Sequence, residues 1–197
     1  MQLNFFNMKN LILTISLFLF TLKSNSQVTT TVPLNTVNYP NGAYLKDLNN
    51  ELPFWVGTWE GISNNKKYTF IFTLFRQAHI NFAGYHYEDI IKGKLKVVDL
   101  ITNQIIFNNL SVTNFKDYTI DGLVIRDREF YFGFYDNESN CFNTVYFTLV
   151  KNPHNLTQID FKDFSFGEYG GLIDCSYPNQ SDIPMYLPRV NLVLTKQ

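Results

Sequence analysis

Along much of the chain, apolar and polar residues alternate one by one. Lys67 to Phe75 sets Tyr68, Phe70, Phe72 and Leu74 on one face and Thr69 and Thr73 on the other. Glu129 to Asp136 places Phe130, Phe132 and Phe134 opposite Tyr131 and Tyr135, and Phe142 to Val150 alternates with Thr144 and Thr148. Leu156 to Phe164 separates Ile159 and Phe161 from Gln158, Asp160 and Lys162, while Val190, Leu192 and Leu194 form the inward row of a last strand. A period of two marks half-buried strands. Turn clusters lie between them at Asn64-Asn65, Thr102-Asn103, Asp121-Gly122, Asp136-Asn137 and Lys151 to Asn155. Lys92 to Leu100, Ile105 to Leu110 and Tyr118 to Arg126 bring the count to roughly nine or ten strands. Tyr44 to Asn50 is the best candidate for a short helical turn, and Gln77 to Glu88 is irregular. Phe166 to Pro188 is a long loop rich in glycine and proline. Strand-plus-turn units of roughly 8–14 residues favour hairpins in sequence order, and closing the meander hides its edges. The expected fold is all-β, an antiparallel up-and-down β-barrel of roughly eight to ten strands.

The amino terminus changes the picture of where this barrel works. Met8-Lys9-Asn10 opens a basic stretch, Leu11 to Leu22 is apolar, and Lys23-Ser24-Asn25-Ser26 precedes Gln27. That is the pattern of a secretory signal, and the apolar run falls short of the ~20 residues of a spanning helix. The expected organisation is a signal peptide over 1–26, an extended arm over 27–52 and a barrel domain over 53–197, acting in the periplasm or outside the cell. Net charge is −1 for the whole chain, and removing Lys9 and Lys23 takes it to −3. A mildly acidic domain has no electrostatic reason to bind nucleic acid or an anionic membrane, and no later stretch could span a bilayer as a helix. Export also decides the reading of Cys141 and Cys175, the two cysteines of the chain. In an oxidising compartment such a pair becomes a disulfide, here one tying the long loop to the hairpin tip after Asp136. A reactive thiol is the other reading.

Trp55-Val56-Gly57-Thr58-Trp59-Glu60-Gly61 opens the barrel domain. Its Gly57-Thr58-Trp59 resembles the Gly-x-Trp signature on the first strand of the lipocalin and fatty-acid-binding-protein superfamily, making the expected barrel lipocalin-like. The resemblance implies that Trp59 closes one barrel end beneath a ligand cavity. It also implies a basic residue near the last strand as its cover, for which Arg189 and Lys196 are the candidates. The other lipocalin motifs are not visible, and no histidine matches the haem ligand of haem-binding relatives. Nearly the full length is similar to secreted proteins of Flavobacterium-type bacteria. These share a signal ending before Gln, a Trp-x-Gly-x-Trp start and a Leu-Val-Leu-Thr-Lys ending, as in Leu192 to Lys196; that likeness implies no activity.

Aromatic residues make up 17% of the chain, enough to fill a barrel or to line a cavity. An eight-stranded barrel has room for packed side chains or for one small ligand. Candidate ligand-lining residues are Trp59, Tyr68, Phe70, Phe72, Phe130, Phe132 and Phe134. Catalytic motifs are scarce: there is no Gly-x-Ser-x-Gly elbow, no His-Glu-x-x-His and no phosphate loop. Glu88-Asp89 and the Asp136/Glu138 turn read as solvated charges. His79 and His86 fall on opposite faces of a strand, against a shared metal, unless Gly84 bends the chain. No enzyme, cofactor or metal is expected. The leading expectation is an exported, non-catalytic binding protein for a small hydrophobic or aromatic ligand. The alternative is a solid-core interaction or structural module acting through loops and the outward tyrosines Tyr131, Tyr135 and Tyr146. The loop Phe166 to Pro188 is either a functional lid hinged at Gly170-Gly171 or a connection packed over the barrel end.

Overall fold

A computed structural model describes residues 28–81, 84–136, 141, 143–167, 175, 177–179 and 182–197. The expected signal peptide, 1–26, and the Gly170-Gly171 hinge lie outside the described residues. The strands are β1 (Thr31–Pro33), β2 (Tyr44–Lys46), β3 (Gly57–Ser63), β4 (Lys66–Ile80), β5 (His86–Asp99) and β6 (Ile105–Asn108). They continue with β7 (Ile120–Arg126), β8 (Glu129–Asp136), β9 (Asn143–Lys151), β10 (Gln158–Phe166) and β11 (Leu192–Lys196). Eight of them close a barrel in the order β3-β4-β5-β7-β8-β9-β10-β11, every neighbouring pair antiparallel. The fold is therefore the all-β up-and-down barrel the alternation implies. No helix among the described residues is long and apolar enough to cross a membrane.

The inward rows meet at the axis. Phe70 packs on Phe72 (6.0 Å between ring centroids), Phe72 on Phe132 (5.0 Å), Phe132 on Phe147 (5.4 Å), Phe147 on Phe161 (4.7 Å) and Phe161 back on Phe70 (6.2 Å). Five rings from four strands thus form a closed circuit, at the centroid separations that aromatic pairs favour. Two glycines make room for the inner rings: a Cβ on Gly93 would sit 2.7 Å from the Phe72 ring, and one on Gly122 2.5 Å from that of Phe130, which packs on Phe132 beside the circuit.

The two ends are sealed differently. At the tryptophan end, a 3-10 turn over Leu52–Phe54 delivers Trp55 and then Trp59, both fully buried. The Trp59 indole N–H donates to the Trp55 carbonyl at 2.8 Å. Lys196 lies over the Trp59 ring (5.0 Å) and donates to the Phe54 carbonyl (3.0 Å), while Lys151 lies over Phe54 and Trp55. At the opposite, disulfide end, Phe107 from β6 stacks on Tyr186 (4.5 Å) and meets Phe134 edge-on. Leu187 is buried beside them, and the Cys141–Cys175 disulfide ties the incoming loop to the β8–β9 tip.

Several local expectations are corrected. Tyr44–Lys46 is strand rather than helical turn, because it lies parallel to the start of β5; the turn comes later, over Leu52–Phe54. Gln77 to Glu88 is mostly strand: β4 runs to Ile80 and β5 starts at His86. A bulge between Phe75 and Ala78, with Gln77 at φ 51°, breaks the alternation there. Val190 does not join the inward row; it precedes β11 and is 48% exposed.

The arm closes a seam in the wall. β5 and β7 pair only through Lys92↔Asp121 and Gly93↔Ile120, so the start of β5 takes β2 as its neighbour instead. The fastening is Asp89, a fully buried carboxylate. It accepts from the Tyr44 hydroxyl (2.5 Å), the Asp47 and Gln77 amides (3.1 and 3.0 Å) and Arg76 (2.9 Å). Burial pushes the Asp89 carboxyl up, but the donors Tyr44, Gln77, Asp47 and Arg76 outweigh it and hold it below the usual range. The Tyr44 phenol is pushed up to about 12, by burial first and by its bond to Asp89 second. Asp47 in turn accepts from the Glu51 and Leu52 amides, which positions the turn that carries Trp55.

Candidate binding groove on the outer wall

The residues expected to line a cavity are brought together, as packed core. Trp59, Phe70, Phe72, Phe132 and Phe134 are fully buried, and Tyr68 and Phe130 nearly so. The rings of Phe70, Phe72, Phe132 and Phe130 touch in succession, with Phe130 and Phe132 only 4.3 Å apart. Lys196 covers Trp59, whereas Arg189 lies over the Phe166 ring at 5.6 Å.

Among the described residues, two clefts lie along the outside of the wall. One cleft of about 480 Å³ crosses β7 to β10 and is lined by Leu123, Val124, Tyr131, Tyr146, Asp163 and Ser165 among others. A second, of about 660 Å³, lies between the arm (Asn35 to Tyr39) and Ile80, His86, Glu88 and the same Leu123, Val124 and Arg126. Sharing those three residues, the two clefts form one groove running from the arm across the barrel wall. Two bulges shape it. The register shift between Gly122 and Val124 leaves both Leu123 and Val124 on the outer side. The shift between Lys162 and Ser165, with Asp163 at φ 56°, puts Asp163 and Ser165 into the far lobe.

Of the three outward tyrosines, Tyr131 and Tyr146 are exposed and line the groove, while Tyr135 is half-buried beside it. The Tyr131 hydroxyl donates to Glu129 (3.0 Å), and that bond raises its phenol pKa. Arg126 lies 5.9 Å over the same ring. Burial pushes the Tyr135 phenol up, aided by Asp121 and Tyr146. The arm-side lobe is more polar. His86 Nε2 lies 3.3 Å from Glu88 Oε2, and Tyr39 packs against the His86 ring with its hydroxyl 3.4 Å from Nδ1. Burial raises the Glu88 carboxyl, the charge of Asp89 adds to this, and His86 offsets part of it. His79 packs on Tyr85 and Tyr87. Because it pairs with Tyr87 while His86 pairs with Ile80, the two histidines face opposite ways. Among the described residues no group of three or more His, Cys, Asp or Glu side chains is placed to hold a metal.

Leu123, Val124, Arg126, Asp163 and the arm residues of the groove carry no motif, and the sequence reading passed over them. The available signal was the interruption of strict alternation at Leu123-Val124 next to Gly122. No protein-family model matches the chain, and neither a curated protein nor a solved structure matches it.

Proposed function

We propose that the protein is a non-catalytic binding module on a solid β-barrel, engaging its partner through the outer groove and its tyrosines. One observation carries the reading: the inner aromatics form a closed circuit of ring contacts, while Tyr131 and Tyr146 line open space outside. A small ligand inside the barrel would have to separate rings already in contact, losing their packing energy. In the groove, two exposed phenols beside aliphatic Leu123 and Val124, with Arg126 and Asp163 at hand, offer flat apolar area and hydrogen bonds together. Tyrosine is suited to that, with an apolar body and a polar tip. The apolar leader and the disulfide favour action outside the cytoplasm. The lipocalin likeness at Gly57-Thr58-Trp59 then concerns the way the barrel is started and sealed, not the place where it binds.

The test is a fragment titration followed by NMR, using phenol, indole and glucose as probes and a medium-chain fatty acid as the competing case. The reading expects shifts confined to Leu123, Val124, Arg126, Tyr131 and Tyr146. Saturable fatty-acid binding that shifts Phe70, Phe72 and Phe161, inner rings that line neither cleft, would instead restore a small hydrophobic ligand within the barrel.

A further inference from the structure

We infer that the outer edge of β6 is a self-association site, at which two copies of this chain join antiparallel along Ile105–Asn108. Among the described residues β6 pairs only with β5, through Lys96↔Asn108, Val97↔Phe107 and Val98↔Ile105. The Asn109 amide donates to the Leu95 carbonyl and the Leu95 amide to the Asn109 side chain. By the alternation of an antiparallel ladder, the peptide groups of Asn108 and Ile106 then face away from β5. An edge of this kind is a template for another strand.

Apart from Gln104 and Asn108, the exposed side chains along it are aliphatic. The bulge between Val97 and Val98 leaves both Ile105 and Ile106 outward, Ile105 at 56% exposure. On the adjoining turn Leu100 is exposed and Ile101 is 74% exposed. Ile62 is also exposed, at the far end of the cross-strand row Ile62↔Lys67↔Val98↔Ile105, with Lys67 between it and Val98.

Charge identifies the occupant. No charged residue occurs from Leu100 to Phe115, and no proline either. Natural edges are commonly guarded by lysine or proline, and this one carries neither. The nearest cross-strand lysines, Lys67 and Lys96, sit on β4 and β5 on the far side of β6, and Lys67 is engaged by Glu60 at 2.9 Å. A polyanion or anionic lipid surface finds nothing on the edge to meet. A second β6 finds unpaired peptide groups, aliphatic neighbours and no like charge, and two identical strands paired antiparallel close on a two-fold axis. A four-residue edge with a few aliphatic side chains belongs at the small end of specific interfaces, so association belongs at roughly ten to a hundred micromolar. The site is separate from the groove and does not depend on it.

The exported, disulfide-bonded chain is taken through a concentration series by sedimentation equilibrium, with amide hydrogen exchange measured at the dilute and concentrated ends. A monomer–dimer equilibrium is expected, with exchange at Ile106 and Asn108 slowing several-fold as dimer forms. Ile106→Lys and Ile105→Lys, both at exposed positions, should each weaken association by about 10-fold or more with an unchanged thermal midpoint. A chain that stays monomeric up to about 1 mM, well above that range, would overturn the inference. So would dimers indifferent to both lysines, protection arising at Tyr131 and Tyr146 instead, or a monomer that sediments with neutral phospholipid vesicles.

Discussion

The two ends of the barrel are closed by unlike means. At the tryptophan end one short stretch of chain, Leu52 to Trp59, supplies the plug, and two lysines from β9 and β11 cover it. At the disulfide end the plug is gathered from afar: Phe107 from β6, Tyr186 and Leu187 from the long return loop, and a covalent bond between positions 34 apart in sequence. A plug made of consecutive residues forms with little loop-closure cost. One assembled from distant pieces must order each connection first, and a disulfide lowers that cost by restricting the unfolded chain. Chemistry should therefore be able to loosen one end while leaving the other intact.

The largest effect should come from the tryptophan end. Trp59→Ala empties a fully buried site at the start of the first barrel strand and should destabilise by about 3–5 kcal/mol in urea denaturation. Next in size is loss of the disulfide. Cys141→Ser with Cys175→Ser should cost about 3–4 kcal/mol in the chain-entropy model. Both tryptophans of the chain lie at the other end, so their fluorescence reports on that end alone. Below the unfolding transition the double variant should keep its native emission while amide exchange quickens around Val145 and Phe134. If tryptophan emission shifts as well, the two ends are coupled and the contrast fails.

The same contrast governs how much could be read from the sequence. The barrel was legible because its strands are half-buried and alternate, and the place of Trp59 only through the resemblance of Gly57-Thr58-Trp59 to a lipocalin barrel start. The Cys141–Cys175 pairing followed from there being two cysteines in a chain whose amino terminus has the pattern of an export signal. What escaped were features that alternate badly or act across the fold. The bulge at Gln77 made strand look like loop, because the extra residue shifts the face of all that follow. Leu123 and Val124 reach the groove through another bulge. For Phe130, Phe132 and Phe134, alternation identifies the inner face but is silent on whether that face encloses space; the neighbours Phe72 and Phe147, on other strands, bear on that.

A third prediction concerns Asp89, which fastens the arm near the tryptophan end. Asp89→Asn keeps the shape but loses the charge that Arg76 and three other donors face, and should cost roughly 2–3 kcal/mol at neutral pH. Since the folded carboxyl titrates below its ordinary value, the stability it confers is complete above about pH 4 and fades as pH falls through the folded value. Tyr44 bounds the other side: with its phenol raised to about 12, its contribution is full below about pH 10 and is lost as pH climbs through 12. Arm docking, followed by amide exchange at Tyr44 and Leu45, should thus hold across the intervening range. Asp89→Asn should remove the acid limb and Tyr44→Phe the alkaline one. An acid limb that persists in Asp89→Asn would mean that another carboxylate holds the arm.

The smallest effect separates the two tryptophans. They look equivalent by burial, yet the Trp59 indole N–H has the Trp55 carbonyl as its acceptor, whereas the Trp55 N–H is buried with no hydrogen-bond partner. Replacing an indole by phenyl removes similar apolar volume at both positions, so that cost largely cancels in the comparison. What remains is polar. Trp59→Phe gives up a buried bond worth about 1 kcal/mol and leaves the Trp55 carbonyl without it. Trp55→Phe gives up no bond and relieves a donor whose isolation carries a desolvation cost on the order of 1–3 kcal/mol. Trp55→Phe should therefore be the milder substitution by about 1–2 kcal/mol in paired urea titrations. Equal losses would mean that a buried water serves the Trp55 N–H, and the tryptophan end would then be wetter than its closely packed rings suggest.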